Sequence, residues 1–329
     1  MRILVAATML LALCGCKHDE TDKLFDVAGE PALETDRALL TDSLKCLPYT
    51  HPDKPPVLLV HGTFTNGTEQ YNWTYIPLLD QAGFDVCAVT YPDRGTGDQQ
   101  ISAEYVVYAL RKMYADTGRR VAMIGHSQGA SMPRWSLKWW PSARAATQTF
   151  VLQAGPNHGT TVAASALPLG EPAAFYQFSP ASNFIIALNR GDETPGDIAY
   201  TNLYTTTDEL VEPSTPVPTA ALDWQQNNPK VSNILLQDVC LGHTADHVTI
   251  GTTDKLAFEL TLDAIAHDAP ADFARAGGNA LCGLAPVVPD EIIESNAVQD
   301  MLAVLPSESA APPDFHVATE EPPLKPYAQ

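Results

Sequence analysis

The sequence predicts an α/β protein with a mostly parallel sheet that helices cover on both faces. Short apolar runs that suit buried strands recur from residue 55 onward, and stretches with helical spacing separate them. Strands that alternate with helices in this way favour parallel pairing through right-handed crossovers. The chain has 329 residues, of which 45% are hydrophobic and 18% charged, so it can bury a sizeable core.

Each predicted strand is a short apolar run bounded by turn residues. The predicted strands are Val57–Val60, Asp85–Thr90, Arg120–Ile124, Thr149–Gln153, Tyr200–Tyr204 and Ile234–Val239. The predicted helices are Ser102–Asp116, Gln128–Trp139 and Asp254–His267. In the first helix the apolar residues form one stripe, so we expect Arg111 and Lys112 to face away from the core.

The N-terminus predicts an export signal. Arg2 precedes an apolar stretch, residues 3–13, that is too short to span a bilayer as a stable helix. The following LCGC resembles the bacterial lipobox, in which a peptidase cuts before a cysteine that receives lipid. Cys16 fits this role because Gly15 precedes it, and a lipidated Cys16 would anchor the protein to a membrane of the bacterial cell envelope. The alternative is an ordinary secretory signal and a secreted protein.

The chain is therefore divided into a signal with lipobox (residues 1–16), an acidic spacer (17–42) and one domain (43–329). From about residue 285 the domain ends in a Pro-rich tail that we expect to wrap the surface or to be partly mobile. Lys and Arg number 19 against 39 Asp and Glu, which gives a net charge of −20. This charge argues against nucleic acid as a partner, and we expect a monomer.

Four cysteines remain beyond the signal: Cys46, Cys87, Cys240 and Cys282. An even number in an exported chain predicts two disulfides, for which three connectivities exist, and pairing in sequence order is the simplest. No Cys/His spacing typical of zinc is present, so we expect no metal site.

The segment GHSQG, residues 125–129, indicates a nucleophilic serine at Ser127. A predicted strand precedes it and a predicted helix follows, which is the context of a nucleophile elbow in the α/β-hydrolase fold. Glycines suit this pattern because a sharp turn leaves no room for a Cβ on either side of the serine. A serine hydroxyl also needs a base and an acid, which in this fold follow in the order Ser, Asp or Glu, His.

Two histidines fit the base position, His243 and His247, because both lie in a loop after the last predicted strand. Asp208 directly follows the strand Tyr200–Tyr204 and fits the acid, with its neighbour Glu209 as the alternative. Three further histidines fit less well. His158 precedes any suitable acid, His267 lies in a predicted helix and His316 lies in the tail.

An oxyanion hole needs two backbone donors. The amide after the nucleophile belongs to Gln128, and the loop HGTFTNG after the strand ending at Val60 offers the amide and the hydroxyl of Thr63. Such a site uses no metal and no cofactor. Its substrate would be an acyl ester, and FYQF at residues 175–178 would either line the acyl entrance or form a buried structural patch.

Several long segments together resemble the fungal lipase B family. They are VLLVHGTFTNG, SAEYVVYALRKMYADTG, GHSQG through PRWSLKWWPS, TNLYTTTDELVEP, VCLGHTADHV and EPPLKPYA, and they run from about residue 45 to the tail. The resemblance implies Ser127 as nucleophile, Asp208 as acid and His247 rather than His243 as base. It also implies Thr63 and Gln128 as oxyanion donors and the disulfides Cys46–Cys87 and Cys240–Cys282.

The sequence departs from that family beside the site. His126 precedes the nucleophile, His61 replaces a proline before the oxyanion glycine, and PNHGT differs near the expected acyl pocket. The predicted function is that of a serine carboxylic ester hydrolase, a lipase or esterase. The alternatives are an acyltransferase or polyester depolymerase with the same triad, and a non-catalytic cell-envelope binding lipoprotein.

Overall fold

The computed structural model describes residues 23–166, 171–293 and 318–329. Within them a seven-stranded sheet has the order β1-β3-β2-β4-β5-β6-β7. Only β1 runs antiparallel to its neighbour among these strands, so the predicted mostly parallel sheet is confirmed. The strands are β1 (Leu44–Cys46), β2 (Val57–Val60), β3 (Val86–Val89), β4 (Val121–His126), β5 (Thr147–Gln153), β6 (Ala199–Tyr204) and β7 (Val231–Leu235).

Helices cover both faces of this sheet because successive strand residues point to opposite sides. Leu58 and Val60 of β2 belong to one core, and Val57 and Leu59 belong to the other. The helices are α1 (Arg37–Ser43), α2 (Gly67–Tyr71), α3 (Tyr75–Gln81), α4 (Gln99–Thr117), α5 (Gln128–Ser131), α6 (Pro133–Trp139), α7 (Pro141–Ala146), α8 (Thr161–Ala166), α9 (Ala173–Phe178), α10 (Asn183–Asn189), α11 (Leu236–Val239), α12 (Lys255–His267), α13 (Phe273–Ala276) and α14 (Asp290–Ile293). Helices α4, α6 and α7 cover the first core, and α3 and α12 cover the second.

The last predicted strand was misplaced. The prediction was Ile234–Val239, whereas β7 ends at Leu235 and α11 begins at the next residue. The last residue of β7 pairs with the last residue of β6, Tyr204, so the chain beyond it has no strand to pair with. The apolar run continues through this change, and periodicity alone cannot separate a short strand from a single helical turn.

The predicted helix Gln128–Trp139 is divided into α5 and α6 at Pro133. Proline has no N–H and cannot donate the bond that would continue the helix. The Trp135 amide instead donates to the carbonyl of Met132, three residues back, at 2.9 Å. The elbow serine therefore precedes a helix of only four residues, Gln128–Ser131.

The segment expected to be an acidic spacer, residues 17–42, packs on the domain in its described part, from Lys23 onward. Leu40 is fully buried in the first core. Glu30 pairs with Arg111 at 2.8 Å, and both side chains are almost completely buried. Arg111, which was expected to face away from the core, is nevertheless buried, because the N-terminal segment covers it and supplies its counter-ion. Residues 23–42 thus pack against the domain, while residues 1–22, with Cys16, lie outside the described residues.

The end of the chain packs beside the N-terminal segment. The ring of Tyr327 contacts Trp135, Trp139 and Trp140, and Lys325 pairs with Glu34. The described end of the tail therefore belongs to the domain surface, and residues 294–317 lie outside the description. No helix in the described ranges combines the length and apolarity needed to cross a bilayer.

Two disulfides are present among the described residues. Cys46–Cys87 joins β1 to β3, and Cys240–Cys282 joins the end of α11 to a turn after α13. Both pairs are those that the family resemblance implies. Each closes a loop of about forty residues, which restricts the unfolded chain and so stabilises the fold.

Candidate active site

Ser127 lies in a sharp turn between β4 and α5. Its φ is +56°, a left-handed value that a residue with a side chain rarely adopts. A Cβ on Gly125 would lie 1.8 Å from the carbonyl oxygen of Gly129, and one on Gly129 would lie 2.1 Å from that of Val60. Neither position can hold a side chain unless the backbone moves, so both glycines of G-x-S-x-G are sterically required.

The imidazole of His247 lies between Ser127 and Asp208. Its Nε2 is 2.9 Å from Ser127 Oγ, and its Nδ1 is 2.9 and 3.0 Å from the two carboxylate oxygens of Asp208. An ionised carboxylate only accepts hydrogen bonds, so Nδ1 carries the proton and donates it. Nε2 of the neutral ring then faces the serine hydroxyl as an acceptor, which is the arrangement of a general base.

The surroundings of this pair favour its charged form. Burial by itself raises the pKa of Asp208, but His247 and the backbone amides of Leu210 and Val211 outweigh it and lower that pKa. Burial by itself lowers the pKa of His247, but Asp208, with smaller contributions from two further carboxylates, outweighs it and raises that pKa. An imidazolium formed at His247 is therefore stabilised by its neighbours.

Hydrogen bonds connect the loop that carries Asp208 to the loop that carries His247. The hydroxyls of Thr205 and Thr207 both donate to the carbonyl oxygen of Ala245, at 2.8 and 2.6 Å. Glu209, the alternative acid, accepts from the backbone amide of His247 at 3.1 Å and not from its ring. Neither threonine was predicted from the sequence, although both belong to the run TTT directly before Asp208.

The other histidines have different partners. His243 Nε2 lies 2.7 Å from a carboxylate oxygen of Asp254, the residue that caps α12. His158 contacts the carbonyl oxygen of Thr219 and the carboxylate of Glu193. His267 is the last residue of α12, with its side chain half exposed, and His316 lies outside the described residues. Of the described histidines, the structure brings only His247 to the Ser127 hydroxyl.

The two residues predicted to supply the oxyanion hole lie together beside Ser127. The hydroxyl of Thr63 donates to the side-chain oxygen of Gln128 at 3.0 Å. Gln128 is the first residue of α5, so its amide has no acceptor within the helix. A Cβ on Gly62 would lie 3.2 Å from the Cβ of Ser127, which shows how closely the Thr63 loop passes the serine.

The two histidines that depart from the lipase B pattern are both buried. Burial and an unfavourable interaction with His247 lower the pKa of His126 to about 3, and burial lowers that of His61 to about 3. His61 stacks on Tyr91 at 3.9 Å, and its Nδ1 lies 2.7 Å from the Gly62 carbonyl oxygen. His126 contacts Gln70 and the backbone of His247. Both rings are neutral and support the backbone around the site.

A small apolar cluster adjoins the Thr63 loop. It comprises Ala163, Ala174 and Phe178, which are buried, and Phe175, which is partly exposed. The rings of Phe64 and Phe175 are nearly perpendicular, with 5.6 Å between their centroids. The segment FYQF thus divides between the two roles considered from sequence, since Phe178 is buried and Phe175 lies next to the Thr63 loop.

The chain is similar to known lipases. The family model for lipases of class 2 matches residues 54–232, more than half of the chain. Lipase B of Pseudozyma antarctica is 30% identical over 189 residues, which cover 56% of this chain and 55% of the relative. The match therefore spans only about half the length of that curated relative.

The crystal structure of Aspergillus fumigatus lipase B is similar over a larger region. It superposes with a TM-score of 0.81 and 27% sequence identity, covering 92% of this chain and 74% of that one. A TM-score of this size together with the sheet order shows the α/β-hydrolase fold. The chain belongs to the family of class 2 lipases, and its fold is that of the lipase B enzymes.

Proposed function

We propose that the protein is a serine carboxylic ester hydrolase, a lipase or esterase, that uses Ser127, His247 and Asp208. The observation that carries the proposal is the position of His247, with Nε2 2.9 Å from Ser127 Oγ and Nδ1 on the carboxylate of Asp208. Membership of a lipase family and the predominantly apolar cluster beside the Thr63 loop support an acyl ester as the substrate.

In the first half of the reaction Ser127 Oγ attacks the ester carbonyl carbon while its proton passes to Nε2 of His247. Asp208 stabilises the imidazolium, and the amides of Thr63 and Gln128 hold the negative oxygen of the tetrahedral intermediate. The intermediate then expels the alcohol, which takes the proton from His247, and leaves an acyl group on Ser127.

In the second half a water molecule attacks the acyl carbon and gives a proton to His247 Nε2. The second tetrahedral intermediate releases Ser127, which recovers that proton, and the carboxylic acid leaves. If an alcohol replaces water at this step, the same residues carry out acyl transfer. The product ratio with added alcohol therefore distinguishes a hydrolase from an acyltransferase.

We infer that the protein works outside the cytoplasm, since two disulfides are typical of exported proteins. A lipid anchor at Cys16 would hold it at the cell envelope, and the negatively charged domain would stay in solution beside the membrane. Labelling with an alkyne fatty acid tests the anchor. The wild-type chain should incorporate the label and Cys16→Ser should not, and an unlabelled wild type would indicate a secreted protein.

The experiment for the activity is hydrolysis of p-nitrophenyl esters from acetate to palmitate by wild type and Ser127→Ala. Loss of the nucleophile should lower kcat on the order of a million-fold. Ser136→Ala is the matched control, because Ser136 is a buried helical serine whose hydroxyl donates to the carbonyl of Ala103. It should retain kcat. Activity of Ser127→Ala close to that of the wild type would overturn the proposal.

A further inference from the structure

Gln70 connects the Thr63 loop to His126, the last residue of β4. It lies in α2, is 2% exposed, and its Oε1 accepts the backbone amide of Gly62 at 2.8 Å. Its Nε2 lies 3.0 Å from Nδ1 of His126. Because the oxygen of the side-chain amide accepts from Gly62, the nitrogen is the donor and His126 Nδ1 must accept.

This acceptor fixes the tautomer of His126. The ring must carry its single proton on Nε2, which lies 2.6 Å from the carbonyl oxygen of His247 and donates to it. A Cβ on Gly251 would lie 2.1 Å from the His126 ring, so the ring is held from the other side as well. Two buried side chains thus link the Gly62 amide to the backbone of the residue proposed as the base.

The other side of Thr63 is held from the same helix. The Phe64 amide donates to the carbonyl of Arg94 at 2.7 Å, and Arg94 Nε donates to the carbonyl of Phe64 at 2.9 Å. The guanidinium of Arg94 also pairs with Glu69, the neighbour of Gln70 in α2. Phe64 has a φ of +68°, a strained value that these bonds stabilise. Adjacent residues of α2 therefore restrain both neighbours of Thr63.

We propose that Gln70 and His126 are positioning residues that hold the Thr63 loop and the His247 loop at the relative positions that catalysis needs. The proposal rests on the function proposed above and adds to it a mechanical connection between two parts of the site. Neither side chain would contact the ester. Because the connection matters most when the tetrahedral oxygen is negative, breaking it should lower kcat and change KM little.

The first test is Gln70→Met, which keeps the volume of the side chain and removes both hydrogen bonds. We expect kcat to fall about 10- to 100-fold, within the range caused by a small misplacement of catalytic groups, with KM within about threefold of wild type. Gln100→Met is the matched control. Gln100 is also a buried glutamine, but it bonds to the backbone of Pro323 and Lys325 on the far helix layer. It should retain kcat.

The second test is Gln70→Glu, which keeps the shape of the side chain. When the new carboxyl group is protonated, it can still accept from the Gly62 amide and donate to His126 Nδ1. When it is ionised, a carboxylate oxygen faces His126 Nδ1, and both atoms are acceptors. The ratio of variant to wild-type kcat should therefore fall as pH rises. The titratable groups facing His126 are His247, Asp208 and Asp246, all of which are also present in the wild type, so the ratio removes their effect.

These outcomes separate the inference from the proposed function. If Ser127→Ala is inactive while Gln70→Met keeps the kcat of Gln100→Met, or if the Gln70→Glu ratio does not change with pH, the positioning role is wrong and the triad stands. If Ser127→Ala remains active, the proposed function itself fails. Urea unfolding of each variant shows that the proteins compared are folded.

Discussion

Nε2 of His247 lies 2.9 Å from Oγ of Ser127, although 120 residues separate them in the chain. The contact depends on two short loops at one edge of the sheet, one after β4 and one after α11. The Asp208 loop after β6 joins them, and threonine hydroxyls tie it to the His247 loop. The arrangement is therefore preformed in the protein without substrate.

The raised pKa of His247 predicts the acid side of the pH profile. Only the neutral ring can accept the proton of Ser127, so kcat/KM should fall as pH drops through the pKa of His247. Because that pKa lies above the ordinary value of 6.5, the pH at which kcat/KM has fallen to half of its maximum should also lie above 6.5. Initial rates with a soluble ester between pH 4 and 9 measure the midpoint. A midpoint clearly below 6.5 would contradict the assignment.

Separate replacement of the two loop histidines should give opposite results. His247→Ala removes the proposed base and should lower kcat by roughly the same factor as loss of the serine. His243→Ala removes a partner of Asp254 and should lower the free energy of unfolding while kcat stays near that of wild type. Steady-state rates and urea unfolding check both. An inactive, folded His243→Ala beside an active His247→Ala would exchange their roles.

Replacing Arg94 should affect turnover more than stability. Arg94→Met removes the guanidinium that donates to the Phe64 carbonyl and pairs with Glu69. The Thr63 loop should then move from its position, and kcat should fall about tenfold. Arg94→Lys should not restore kcat, because a lysine ammonium group cannot donate to the Phe64 carbonyl and pair with Glu69 in the same geometry. Rates with a p-nitrophenyl ester measure the change.

The matched control for this variant is Arg119→Met. Arg119 pairs with Asp85 at 2.7 Å just before β3, at the opposite end of the strands from the site. Arg119→Met should lower the free energy of unfolding and leave kcat unchanged. If both variants keep the wild-type kcat, the Phe64 loop does not need Arg94.

Much of the fold was predictable because buried parallel strands are short apolar runs. The first five predicted strands agree with β2 to β6 within two residues at each end. Strand β1 was not predicted, since Leu44–Cys46 is short and largely exposed and forms only by pairing with β3. The position of β7 was wrong because its end is set by the end of its partner, which the local sequence does not encode.

The site was predictable where the order of residues in the chain and their position directly after strands indicate catalytic residue types. The sequence alone left His243 and His247 equivalent, because both lie in one loop and only their partners differ. The supporting residues were harder to find. Gln70 and Arg94 act through backbone groups of Gly62 and Phe64, and hydrogen bonds to a backbone amide or carbonyl leave no pattern of residue types in the sequence.

The N-terminal segment should stabilise the domain through Glu30. Its carboxylate accepts from Arg111 at 2.8 Å and from the amide and hydroxyl of Ser142 at 2.6 and 2.7 Å. Glu30→Ala would remove the carboxylate that pairs with the buried guanidinium, which typically costs about 3–5 kcal/mol. Urea unfolding should show this loss, and kcat should remain unchanged because the pair lies on the helix layer away from Ser127.

Asp116→Ala is the control for this prediction, since it removes an exposed ion pair from the same helix. Asp116 pairs with Lys112 four residues earlier, and both side chains are about one-third exposed. Such pairs contribute only about 0.3–0.5 kcal/mol. A large difference between the two variants would make the N-terminal segment part of the folded domain. Equal, small losses in both would instead mean that residues 23–42 are a separable spacer, as the sequence first suggested.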